Sequence, residues 1–172
     1  AAVTSVSGLK PADRIHARKV AVGAALLGLH HARDLHYTQG PERWEGIHKR
    51  LIAQYGQYPR HADCSSFASW CLWLALHHEF GLKDIVNGAN WTAGYTGTMA
   101  QHGEVVHVPN TLRGDLVLYG SAPTFEHVAI VVGHRRVEGK RIPIVVSNGS
   151  EAGPFLLSYN YRRDVGQIRR YI

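Results

Sequence analysis

Two periods divide the chain. Through the first half apolar residues recur at three and four, with Val20, Ala24 and Leu27 in an Ala- and Leu-rich run, and this predicts a helix over about residues 11–37. Gln39-Gly40-Pro41 breaks the run, and Pro41 suits the first turn of a second helix with Trp44, Ile47 and Leu51 on one stripe. Gly56 and Pro59 mark a loop. A third helix follows from Asp63, its apolar run beginning at Phe67 and reaching Leu76. Residues 81–103 are loop-rich, and the mixture of aromatics and glycines over 90–97 suits a surface that holds a ligand. The period then becomes two or the runs become wholly apolar, which predicts strands near 104–108, 115–119, 127–132 and 142–146 and a closing strand over 167–172. Gly114, Gly120, Gly133 and Gly139 punctuate them. Helices first and an antiparallel sheet afterwards is an α+β architecture. With no repeat, low-complexity segment or convincing boundary, residues 1–172 read as one domain, helical to about 80 and sheet from about 103.

The chemistry sits where these patterns change. In Asp63-Cys64-Ser65-Ser66-Phe67 the aspartate is a good N-cap, so Cys64 occupies the first helical position, where unpaired N–H groups and the helix dipole favour negative charge. A thiol there, with an imidazole in reach, is expected to have a lowered pKa and to act as a nucleophile. Cys71, inside the apolar run, reads as core, and seven helical positions separate the two thiols by about 10 Å of rise, beyond disulfide reach. His127 opens a strand that is apolar on both faces and is the candidate general base. Such a base needs a third group to orient its ring. A hairpin turn centred near Val137 and Glu138 sets His127 opposite Asn148; a turn slipped toward Gly139 sets it opposite Ser150. Side chains two apart share a face, so Asn148 is the expected third group. Glu151 replaces it if a bulge or the strand end reverses the facing.

Composition narrows the class. At 172 residues, 45% hydrophobic and 19% charged, the chain can bury a real core, and no stretch approaches a membrane span. The chain begins Ala-Ala-Val and has a single methionine, Met99, so it is expected to be an excised or processed piece of a larger product. The net charge of +6 implies attraction to an anionic partner. Lysines and arginines are scattered and no nucleic-acid motif accompanies them, so an anionic polymer such as a bacterial cell wall fits equally well, and charge alone does not decide.

The order Asp63-Cys64-Ser65-Ser66-Phe67, Gly114-Asp115-Leu116-Val117 and His127-Val128-Ala129-Ile130-Val131-Val132-Gly133 resembles the NlpC-type cysteine peptidases of bacterial cell walls, relatives of the CHAP amidases and endopeptidases. The stretch Ser147-Asn148-Gly149-Ser150-Glu151-Ala152-Gly153-Pro154 is similar to versions in endolysins of phages that infect actinobacteria. The resemblance implies a papain-like core with Cys64 as nucleophile, His127 as base and Asn148 as third member, and no metal or cofactor. Asp63, Ser65, Tyr58, Trp91 and Tyr95 are expected around the substrate. The family's usual tyrosine and paired glycines before the cysteine are reduced here to Tyr55, Gly56 and Tyr58, and the helices to about Gly40 lie outside the motifs.

The implied activity is hydrolysis of a peptidoglycan amide by acyl transfer, as an endopeptidase. The alternative is an N-acetylmuramoyl-L-alanine amidase with the same triad. The implied setting is a monomeric unit of a larger lysin, made in the infected host's cytoplasm and acting on its wall, without nucleic-acid or membrane partners. Two rivals differ in class. Twelve histidines invite a zinc hydrolase, but no His-Glu-x-x-His occurs and His30-His31 and His77-His78 are adjacent pairs pointing to different faces. A non-catalytic wall-binding module would use Trp91 and Tyr95, but has no need of a capped cysteine and a strand-end histidine. Serine catalysis is unsupported, because Gly149-Ser150-Glu151-Ala152-Gly153 is not a nucleophile elbow.

Overall fold

The computed structural model describes residues 6–149 and 153–172. Pro11 stands at the first turn of α1 (Pro11–His30), the long helix of the first half. The pattern suggested a helix to residue 37, but the chain leaves α1 at His31. It makes a 3-10 turn over Ala32–Asp34 and then a two-residue strand, β1 (His36–Tyr37). That strand pairs in parallel with β2 (His61–Ala62), immediately before Asp63. The expected second helix is a 3-10 turn at Pro41–Trp44 followed by one turn, α2 (Glu45–His48), with Trp44 and Ile47 buried. The Glu45 carboxylate accepts the N–H groups of Arg60 and His61 at 2.7 and 2.8 Å, so α2 fixes the backbone that delivers Asp63.

The third helix, α3 (Cys64–Trp73), widens into a π turn at Leu74–His78. It is almost wholly buried, and the Trp70 indole N–H donates to the Leu51 carbonyl at 3.0 Å. The buried stripe of α1 is mostly alanine and glycine, so the two helices approach closely. A Cβ at Gly28 would stand 2.5 Å from the Phe67 ring.

After a loop and the single-turn α4 (Thr96–Met99), six strands form one antiparallel sheet. They are β3 (Glu104–Val106), β4 (Leu116–Tyr119), β5 (His127–Val137), β6 (Lys140–Ser147), β7 (Phe155–Ser158) and β8 (Val165–Arg170), in the order β3-β8-β4-β5-β6-β7. The helices-then-sheet α+β plan read from the periodicity is the plan observed; β7, β1 and β2 are additions to it. One face of the central strands, carrying Leu116, Leu118, Val128, Ile130 and Val146, packs against α1 and α3. The opposite face carries a smaller cluster with Val117, Tyr119, Ala129, Val131, Val145 and Ile168.

The β5–β6 hairpin turns at Glu138 (φ 51°) and Gly139 (φ 77°), the paired left-handed residues of a tight two-residue turn. Toward its far end the register shifts: Val131 pairs with Val145, but Gly133 pairs with Ile144, leaving Val132 as a bulge. That extra residue reverses the facing expected for His127. Past the last pair, Ile130 with Val146, Ala129 comes level with Ser147, and His127 lies two residues on, on the same face. Ser147 therefore shares the face of His127, and Asn148 takes the other.

Gly28→Ala is expected to lower stability by about 1 kcal/mol or more, because crowding against Phe67 outweighs alanine's helix propensity. Urea denaturation checks this; a raised midpoint would contradict the close packing of α1 on α3.

Candidate active site

The start of α3 is built by Asp63. Its Oδ1 accepts the Ser66 N–H at 2.8 Å, and Ser66 Oγ accepts the Asp63 N–H at 2.9 Å, a reciprocal capping box. Ser65 Oγ also donates to Asp63 Oδ1, at 3.2 Å. Both Asp63 and Ser65 are buried and are occupied in shaping the helix start, not open for substrate as expected. Arg43 Nε lies 3.4 Å from Asp63 Oδ2 without hydrogen-bond alignment, and so supplies charge rather than a directed bond.

Cys64 is held at this helix start with the backbone N–H groups of Val128, Ser65 and Cys64 itself directed at its sulfur. The N–H of Val128 belongs to the residue after His127, so the thiol meets β5 one residue past His127. The expected lowering of the thiol pKa does not occur. Burial first, then the negative charge of Asp63, push it up to about 11, and the three N–H groups offset only part of that. Cys71 lies in the core as expected, fully buried, and burial raises its thiol further.

His127 is buried, and its Nε2 is 2.7 Å from Ser147 Oγ. Ser147 Oγ is in turn 3.0 Å from the Tyr161 hydroxyl. The Tyr119 ring flanks the imidazole at 5.6 Å between centroids and donates its hydroxyl to the Tyr159 carbonyl at 2.6 Å. Arg162, held by Asp164 at 2.7 Å, lies over the Tyr119 ring at 5.4 Å from its centroid. Asn148, expected on the imidazole, is fully buried and donates instead to the carbonyls of Ala62 and Asp63 at 3.2 and 3.3 Å. It thus ties the end of β6 to the residues before Cys64, and its Oδ1 is buried without a hydrogen-bond partner among the described residues. The fallback Glu151, with Ser150, lies outside the described residues. Ser147 was missed because a single bulge changes parity; Gly133, an isolated glycine in an apolar strand, was the available signal.

A family model for the CHAP domain matches residues 53–148, more than half of the chain and the span that contains Cys64, His127 and Asn148. The chain belongs to the CHAP domain family. It is a cysteine peptidase of papain-like fold. No curated protein matches it in sequence. Among solved structures, a hypothetical invasion protein of Mycobacterium tuberculosis is similar over 100% of this chain and 70% of its own, with TM-score 0.58 and 20% identity. The NlpC/p60 domain of the peptidoglycan hydrolase SagA is similar over 89% of this chain and 97% of its own, with TM-score 0.56 and 18% identity. A mutant of the resuscitation promoting factor interacting protein RipA gives TM-score 0.57 at 20% identity over the whole chain and 70% of its own. These likenesses establish a shared fold.

Around the CHAP site the aromatic candidates separate. Trp91 is core, not a ligand platform: it is 5% exposed and its indole N–H donates to the Leu82 carbonyl at 3.1 Å. Its loop is organised by Asp84, whose carboxylate accepts the N–H groups of Val86, Asn87, Ala89 and Trp91 at 2.8–3.1 Å. Asn87 joins that loop to α3 through Ser69 Oγ at 2.9 Å. Tyr95, by contrast, is 49% exposed, and the next residue, Thr96, donates to the Thr124 carbonyl three residues before His127. Tyr95 therefore stands on the rim of the site. Tyr58 is half-buried, stacked on His31 at 4.1 Å, with its hydroxyl 3.1 Å from Asp34. Among the described residues no three His, Cys, Asp or Glu side chains gather to hold a metal ion.

Asp63→Asn keeps an equally good cap while removing the charge that holds the thiol up. Cys64 alkylation by iodoacetamide at pH 8 is expected to quicken several-fold with little change in melting temperature. An unchanged or slower rate would contradict the electrostatic role of Asp63.

Proposed function

We propose that this CHAP domain hydrolyses an amide bond of the bacterial cell-wall peptide, most directly as an endopeptidase, with Cys64 as nucleophile and His127 as general base. The observation that carries the reading is the capped thiol at the N–H of Val128, beside His127. The likeness to the NlpC/p60 domain of the peptidoglycan hydrolase SagA supports the substrate class.

In this mechanism the 2.7 Å contact of Nε2 with Ser147 Oγ is assigned as Nε2–H donating, which makes Nδ1 the basic nitrogen of the imidazole. The raised thiol pKa means the resting thiol is protonated, so its deprotonation accompanies attack. Nδ1 takes the Cys64 proton as sulfur adds to the carbonyl carbon. The developing oxyanion is met by the backbone N–H of Cys64 at the helix start. The imidazolium then returns the proton to the leaving amine as the C–N bond breaks, leaving a thioester. Water, deprotonated by Nδ1, releases the acid and restores the thiol. Ser147 orients the ring, and Asn148 acts as a positioning residue for Cys64 through the Ala62 and Asp63 carbonyls. Tyr95 offers the exposed aromatic surface for the wall fragment.

We assign this activity to the lytic unit of an actinobacteriophage-like endolysin, a single domain attached to others, made inside the host and acting on its wall; the 147–154 stretch supports that setting. The amidase reading keeps the same residues and differs only in the bond placed over Cys64.

Digestion of purified actinobacterial peptidoglycan, with products read by mass spectrometry, tests the proposal. Wild type is expected to give new amino termini within the stem peptide or cross-bridge, and Cys64→Ala to lose about 10⁴-fold or more. Intact stem peptides freed from muramic acid would establish the amidase instead, and equal release by both proteins would sink the cysteine mechanism. Ser147→Ala is expected to lower kcat about tenfold with KM little changed; an unchanged kcat would remove Ser147 from the orienting role.

A further inference from the structure

The cations that look scattered in sequence are not scattered in space. Arg18 and Lys19 from α1, Arg113 from the turn before β4, His134 from β5 and Arg141 from β6 line one cavity of about 410 Å³, with Ile15 and Leu112 as its apolar wall. Among the described residues no acidic side chain lines it. Asp115, whose charge acts on Arg18 and His134, is already taken: it receives Arg170 through Nε and a second guanidinium nitrogen at 2.9 Å each, and the Leu112 N–H at 2.8 Å. Arg141 is aimed by a 2.6 Å bond to the Thr111 carbonyl, and His134 Nε2 is 2.9 Å from Thr111 Oγ1. Arg18 donates to the Ile172 carbonyl at 3.2 Å, while its Nε is buried with no hydrogen-bond partner among the described residues. Lys19 and Arg113 are drawn into no hydrogen bond or ion pair among the described residues. The cavity lies far from the catalytic end, because His134 is seven strand positions from His127, roughly 23 Å.

Like charges gathered from four elements, one with an orphaned buried donor, are costly unless an anion completes them. Burial and the neighbouring Arg170 lower the Arg18 pKa, and burial with Arg141 and Arg113 lowers that of His134; a bound anion relieves both. The ligand class follows from shape. Guanidinium forks approaching from several directions suit an anion with three or more oxygens better than a planar carboxylate, which one fork satisfies. The volume exceeds that of a bare phosphate several-fold, since a water occupies about 30 Å³, and the apolar wall of Ile15 and Leu112 leaves room for a carbon body.

We propose that this cavity is a second binding site, separate from the cysteine centre, that takes a phosphate group carried on a sugar or polyol. The phosphate sits among Arg18, Arg113 and Arg141, with Lys19 at the mouth, and the carbon body rests on Ile15 and Leu112. The site does not depend on the catalytic assignment: it would hold a phosphorylated polymer or a small phosphomonoester whatever bond Cys64 attacks.

The test is an NMR titration of the full chain, reading the His134 ring, with glycerol 1-phosphate, poly(glycerol phosphate) and, as a charge control, acetate at equal ionic strength. Both phosphates are expected to shift His134 saturably and acetate not to. The exposed-residue double variant Lys19→Gln/Arg113→Gln is expected to raise Kd at least tenfold without changing melting temperature or hydrolysis by Cys64. Tighter binding of the polymer per phosphate identifies a polymeric ligand, and equal binding identifies a small one. Equal shifts by acetate, or an unchanged Kd in the double variant, would overturn the site.

Discussion

The Asp63 carboxylate ends an extended strand, starts α3 and fixes where Cys64 points, and the rest of the site is arranged around that cap. A cap of this kind contributes about 1 kcal/mol to stability, but its larger effect here is geometric. Glu45 holds Arg60 and His61 by their N–H groups, Asn148 holds the carbonyls of Ala62 and Asp63, and Arg43 faces the outer oxygen of Asp63. Helical, loop and sheet elements thus converge on four consecutive residues, Arg60 to Asp63. The same carboxylate carries a cost, since its charge, with burial, holds the thiol far above neutrality. A site built this way keeps its thiol protonated until a base takes the proton, which in the proposed mechanism places the burden of activation on His127.

His127 is correspondingly well fixed. Its ring is set by Ser147, flanked by Tyr119, and backed by Tyr161 and Arg162 from the segment before β8. The loop that carries Tyr95 is equally constrained, folded around Asp84 and pinned to α3 by Asn87. Exposure is left to the rim, and rigidity to everything beneath it.

How much of this was legible in the sequence follows from the range over which each signal acts. The cap and the position of Cys64 depend on four consecutive residues, and the central strands on local apolar runs, so both could be read directly. The partner of His127 could not, because Ser147 and Asn148 exchange faces on a single bulge at Val132. Trp91 looked like a ligand platform because aromatics among glycines look alike whether they face solvent or plug a core; a left-handed backbone at Asn90 and Trp91 turns it inward. The end of α1 was overextended past His30 to residue 37, where a 3-10 turn and β1 instead serve the parallel pairing that positions Asp63. The cationic cavity was invisible for the opposite reason: its residues come from four elements, and only the fold gathers them.

The central claim is that the Cys64 thiol reacts through His127 and not through a lowered pKa of its own. The most direct measurement is the rate of Cys64 alkylation from pH 5 to 11 in the wild type and in His127→Ala. The account predicts a reactive limb at neutral pH in the wild type that disappears in the variant, leaving only the rise toward pH 11. Superimposable profiles would contradict it.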